Sequence, residues 1–114
     1  MPLDSRDATL LREMRDYGVQ VMSLIEGVTL EELEGNLMRH WAVERGLEIV
    51  GEAARGISPA FLEAHPEIAW RMIAGMRNVL VHQYAIVDLP TLFRVATQDL
   101  PVLIEELNRL LAEV

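Results

Sequence analysis

The sequence has no cysteine. Disulfides and thiolate metal sites are therefore excluded. It has no lysine either: all ten basic residues are arginine. That is an ordinary helix-surface choice, and it also supplies planar forks suited to phosphate. No apolar run approaches the ~20 residues that a membrane span needs. The first residues, "MPLDSRDATL", are charged early and lack a signal-peptide core. A cytoplasmic protein without membrane contact is the expectation. No run of alternating β-branched residues bounded by turn residues occurs, so no strand is expected. There is no internal repeat and no low-complexity linker. Positive charge is in short supply, with a formal net charge of -8. That excludes broad non-specific nucleic-acid binding but leaves room for a small cationic site.

What is present is helical. The 114 residues, 51% of them apolar, suit one folded domain spanning 1–114. Such a chain buries roughly two-thirds of its unfolded surface. Leu10, Met14, Tyr17, Val21, Leu24 and Val28 recur at spacings of four and three, which predicts a helix from about Ser5 to Glu26. Gly27 stands where a left-handed terminator belongs. "TLEE" from Thr29 has the capping-box pattern and predicts a short helix ending near Gly35. A second long helix is expected from Asn36 to Arg55, with Leu37, Trp41, Leu47, Val50, Ala53 and Ala54 on its apolar side. Ser58–Pro59 opens another short helix, which Pro66 ends. His65, beside that turn, is expected to be solvated. A third long helix should begin at Ile68 or Trp70 and run to His82 or Tyr84, with Ile73, Met76 and Leu80 in line. Asp88 caps the last segment, whose leucines hold phase to Ala112. Pro101 should leave it either kinked or split into two nearly collinear helices. The fold class is all-α: an antiparallel four- to five-helix up-down bundle. Its apolar stripes are wider than one core requires, which points to a homodimer.

Two polar patterns could carry chemistry. His40, Glu44, Glu48 and Glu52 repeat every four residues. A carboxylate di-metal site in a bundle uses Glu-x-x-His pairs, and none occurs in the sequence. The stripe therefore reads as solvated or partly interfacial, and no metal or cofactor is expected. Glu52 is the exception. It lies in the small-residue run "GEAARG", where a carboxylate would need a partner such as an arginine.

The other pattern is "GMRNVLVHQY", residues 75–84. Arg77 and His82 lie about 140° apart around an ideal helix. Asn78 shares a line with His82, and Arg77 shares one with Tyr84. A long arginine can reach the histidine line, so convergence is permitted but not forced. Arginine can grip a phosphate and histidine can move a proton near neutral pH. Together they are the minimum for metal-free RNA cleavage. One histidine cannot easily be both base and acid, and a two-fold dimer would bring a second His82 to the same cleft. The plain alternatives are a histidine placed for the helix dipole and an arginine paired with Glu48 or Glu52.

Arg77, "NVLV", His82, Gln83, Tyr84 is similar to the Arg-x4-His-x-Tyr mark of the HEPN superfamily. More narrowly, the chain resembles the HepT-like toxins that pair with minimal nucleotidyltransferases. "RGLEIVGEAAR", "HPEIAWRMIAGMRN" and "VDLPTLFRVATQDLP" resemble the family's flanking blocks. Ala69 departs from the pattern, since many relatives carry proline there. The resemblance implies a dimeric all-α bundle and a metal-independent endoribonuclease. In that reading Arg77 and His82 form the catalytic pair, with Asn78 the supporting polar residue. It also implies a toxin–antitoxin pair in which a nucleotidyltransferase antitoxin neutralises the toxin by AMPylating Tyr84. Given the net charge of -8, RNA would have to be held by local arginines, with Arg39, Arg45, Arg71 and Arg77 as candidates. Two other readings stay open. One is a non-catalytic helical subunit that binds nucleotide or phosphate and docks onto a separate nucleotidyltransferase. The other is a purely structural bundle.

Overall fold

The computed structural model describes residues 5–74 and 88–113. Among them the chain is all-helical, without a strand. In order come α1 (Ser5–Ile25), α2 (Leu30–Glu34), α3 (Leu37–Arg55), α4 (Pro59–Ala64), α5 (70–74), α6 (Leu89–Arg94), a π-helical turn (Val95–Asp99) and α7 (Leu100–Ala112).

The boundaries follow local chemistry. Gly27, at φ 72°, ends α1 in the left-handed conformation that favours glycine. The Thr29 side chain accepts from the Glu32 amide at 3.1 Å, and Asn36 accepts from the Arg39 amide at 3.0 Å. Ser58 caps α4, with Pro59 in its first turn. Asp88 caps α6, its carboxylate accepting from the Thr91 amide and hydroxyl.

Packing is built on two close approaches. α1 and α3 run antiparallel, with Gly46 set against the Val21 side chain and Gly56 near Leu10. α7 crosses α1 at Gly18, where an added Cβ would meet Ile104 Cδ1 at 2.5 Å. Leu11, Met14, Val43, Leu47, Val50, Leu100 and Leu107 fill the space between. The buried line of α1 is Leu11, Met14, Gly18, Val21 and Ile25. This shifts the expected stripe: Tyr17 is exposed, and Leu10 and Leu24 sit at the edge. Glycine carries no apolar weight in a pattern, yet Gly18 is the point that α7 touches.

α3 also departs from expectation. Leu37 and Trp41, read as apolar-side residues, are 54% and 60% exposed. Pro101 is accommodated without a break. Its ring removes one amide and crowds the carbonyl four residues back. The chain widens just ahead of it into the π turn, where the Leu100 amide bonds the Val95 carbonyl. Arg94 and Asp99 bridge that wide turn at 3.1 Å, and the Thr97 hydroxyl donates to the Phe93 carbonyl at 2.6 Å.

Candidate active site

The residues expected to do chemistry, Arg77, Asn78, His82 and Tyr84, lie outside the described residues, as do Met76 and Leu80 of the expected apolar line. What the described structure shows is the chain leading into that segment and the arginines and carboxylates of the described helices.

The approach is a turn at residues 65–69, where Pro66 bars α4 from continuing. Trp70 opens α5 and locks the turn. Its Nε1–H donates to the His65 carbonyl at 3.0 Å, and its ring stands edge-on to Phe61 at 5.9 Å. Ile68 and Ile73 are buried on either side of it. His65 is not the solvated residue that the sequence suggests. Its ring packs on Phe61 at 4.4 Å, and its Nδ1 lies 3.1 Å from Glu67. Glu67 also accepts from Arg109 at 3.2 Å, tying the turn to the last turn of α7. The Glu67 carboxyl is held below its usual range, first by a backbone hydrogen bond in its own turn and then by His65.

The candidate phosphate-binding arginines separate into three conditions. Arg39 donates to the Leu24 carbonyl at 3.0 Å, so it serves the C-terminus of α1. Arg45 is exposed and pairs with Glu48 at 3.2 Å. Arg71 is exposed on α5 and has no ion pair among the described residues. It lies six residues before Arg77 in sequence. Of the three, it is the guanidinium left uncommitted among the described residues.

The four-residue stripe on α3 is not uniformly solvated. His40 and Glu44 are mostly buried, with side chains 14% and 17% exposed, and stand 3.7 Å apart. Burial pushes the Glu44 carboxyl up, and His40 partly offsets it. His40 Nδ1 is buried without a hydrogen bond in the described structure. Glu52 is exposed, between buried Gly51 and Ala53, and is not without a partner. Among the described residues, no group of three or more His, Asp and Glu side chains could hold a metal ion.

One polar element went unread in the sequence. Asp7 is 3% exposed, and its two oxygens accept from the Ser58 amide at 2.9 Å and the Ser58 hydroxyl at 2.6 Å. Ser58 Oγ in turn accepts from the Phe61 amide at 3.3 Å. A carboxylate in the first turn of α1 looks like an ordinary dipole partner. Its acceptor role spans 51 residues of sequence, which no local pattern shows.

A scan against known families matches residues 14–110 to the family described as "Ribonuclease HepT-like". A Thermococcus cleftensis protein named a probable ribonuclease HepT is 35% identical over 99 residues, covering 81% of this chain and 90% of that protein. A Methanocaldococcus jannaschii protein provisionally named an RNase is 31% identical over 107 residues, covering 93% and 98%. A Caldanaerobacter subterraneus protein, also provisionally named an RNase, is 30% identical over 87 residues, covering 76% and 78%. No solved structure gives a significant match.

Proposed function

The chain belongs to the HepT-like ribonuclease family, and on that premise we propose that it is a metal-independent endoribonuclease acting through Arg77 and His82. The observation that carries this reading is the Arg-Asn-x3-His-x-Tyr segment, residues 77–84, inside the matched span. His82 takes the proton of an RNA 2′-hydroxyl, and the 2′-oxygen attacks the adjacent phosphorus. Arg77 stabilises the charge that gathers on the phosphorane, with Asn78 assisting. The bond to the 5′-oxygen breaks, that oxygen takes a proton, and a 2′,3′-cyclic phosphate remains. Acid–base help is worth about 10²–10⁴ in rate, and electrostatic stabilisation at least as much. In a homodimer a second His82 supplies the acid. Arg71 supports the reading as an uncommitted cation for a neighbouring phosphate.

The same reading makes the protein the toxin of a toxin–antitoxin pair in the cytoplasm, its partner a minimal nucleotidyltransferase that AMPylates Tyr84. The Tyr84 hydroxyl attacks the α-phosphorus of ATP and pyrophosphate leaves. The attached AMP then sets a phosphate and bulk where RNA must bind. Two experiments test this. Expression of the chain alone should arrest growth, and His82→Ala should relieve the arrest. Co-expression with a neighbouring nucleotidyltransferase should add AMP units to the intact mass, and Tyr84→Phe should abolish the gain. The net charge of -8 favours one competing reading, a non-catalytic subunit that binds phosphate and docks onto the nucleotidyltransferase. Harmless expression of the unmodified chain would select it.

A further inference from the structure

We propose that the ring cluster of Phe61, His65 and Trp70, with Arg71 beside it, is an RNA-binding subsite: an unpaired base stacks on the His65 ring and Arg71 takes a neighbouring phosphate. RNA as the ligand is taken from the proposed function; the placement of base and phosphate is not. Three rings meet where α4 turns into α5. Phe61 packs on His65 at 4.4 Å and meets Trp70 edge-on at 5.9 Å. None of the three is fully buried. Phe61 backs one side of the His65 ring, and the His65 side chain keeps 25% of its surface in water.

The platform is held from several directions. The Trp70 indole donates to the His65 carbonyl at 3.0 Å, and Glu67 joins His65 Nδ1 at 3.1 Å to Arg109 at 3.2 Å. A ring fixed in advance loses little freedom when a base lands on it. Stacking on an aromatic ring accepts any base, because every base has a π-face. The carboxylate beside the ring, Glu67, is met by Arg109 and so opposes a phosphate less; Glu63, exposed on α4, is the charge that works against one. Arg71 follows Trp70 directly, is exposed, and has no ion pair among the described residues. Six residues of chain separate it from Arg77, so the two Cα atoms lie at most about 22 Å apart by any path. One strand a few nucleotides long spans that distance. The strand must be unpaired here, since a duplex keeps its base faces inside its own stack. A protein partner fits the patch less well. A stable protein interface covers about 800 Å² per partner, whereas one base needs a single ring face.

Binding of a short 2′-O-methyl oligonucleotide, read by fluorescence anisotropy, tests this. Such a strand has no free 2′-hydroxyl and cannot be cut by 2′-oxygen attack. The wild-type chain should bind it at least about fivefold more tightly than the same strand stripped of its bases. His65→Leu keeps apolar bulk against Phe61 but has no π-face, and should lose most of that preference. His65→Phe restores a ring that cannot pair with Glu67, and should keep it. Arg71→Gln should weaken both strands alike and lower the slope of log affinity against log salt by about 0.7. Thermal melting checks that each variant is folded. A wild-type chain that binds neither strand, a preference that survives His65→Leu, or one that is lost in His65→Phe overturns the proposal. Affinity indifferent to the changes at both His65 and Arg71 also overturns it and hands the patch to a protein partner. A chain that shows the preference yet never cuts RNA would sink the ribonuclease reading and leave the subsite standing. A chain that cuts RNA but binds both strands equally would do the reverse.

Discussion

The two ends of α3 are both apolar and are buried very differently. Val43, Leu47, Val50, Ala53 and Ala54 are buried, while Leu37, Met38 and Trp41 face water. The difference lies in what runs alongside. α1 packs along the later part of α3, with Val21 against Gly46. It ends at Ile25, where Arg39 reaches the carbonyl of Leu24. The first turn of α3 extends past that end, and among the described residues no long helix buries it. Hydrophobicity marks a face, but the neighbouring element decides whether the face becomes core.

Substitutions at the two ends measure that contrast. Leu47→Ala removes a fully buried side chain and should cost about 2–5 kcal/mol in urea unfolding. Trp41→Ala, compared in dilute protein, should stay within about 0.5 kcal/mol. Equal costs would mean that the first turn belongs to the core after all. Gly46→Ala drives a methyl into the buried Val21 side chain and should cost about 1–3 kcal/mol. Adding Val21→Ala should relieve the clash, leaving the double variant more stable than the two separate costs predict. Beyond the far end of α3, Asp7→Ala strands the Ser58 amide and hydroxyl. About 1–3 kcal/mol should be lost there, which thermal unfolding would read.

The smallest effect is a pH slope where the two halves of α3 meet. The carboxyl of Glu44 is raised by burial, so the folded chain binds its proton more tightly than the unfolded chain does. Stability from this group is full below the ordinary carboxylate range of the unfolded chain and is lost as pH rises through the higher folded value. Glu44→Gln should therefore be at least as stable as wild type near neutral pH and should flatten that slope. Glu67 has the opposite sign: its lowered pKa makes its contribution fade as pH falls, and screening by solvent keeps it small.

The features legible in the sequence were local ones. Gly27, Thr29, Ser58 and Asp88 announced helix ends because each acts within a few residues of itself. The all-α class followed from periodicity. Contacts between distant segments were not legible. Gly18 and Gly46 are sites of close approach that no hydropathy pattern weights, and Asp7 works across 51 residues. Pro101 announced a disturbance, but its form, a widened turn ahead of the proline, depended on how Val95 and Leu100 could rebond. At the candidate site the motif was readable as residue types. Which arginines were free was not: Arg39 and Arg45 differ from Arg71 only through the partners that folding gives them.

RNA cleavage by Arg77 and His82 is the central proposal. It is tested most directly by incubating purified chain, free of any partner and unmodified at Tyr84, with RNA in the presence of EDTA. The expected result is cleavage to 2′,3′-cyclic phosphate ends, abolished in His82→Ala and Arg77→Ala proteins that melt as wild type does. RNA left intact by the wild-type chain, or cut equally by His82→Ala, would contradict it.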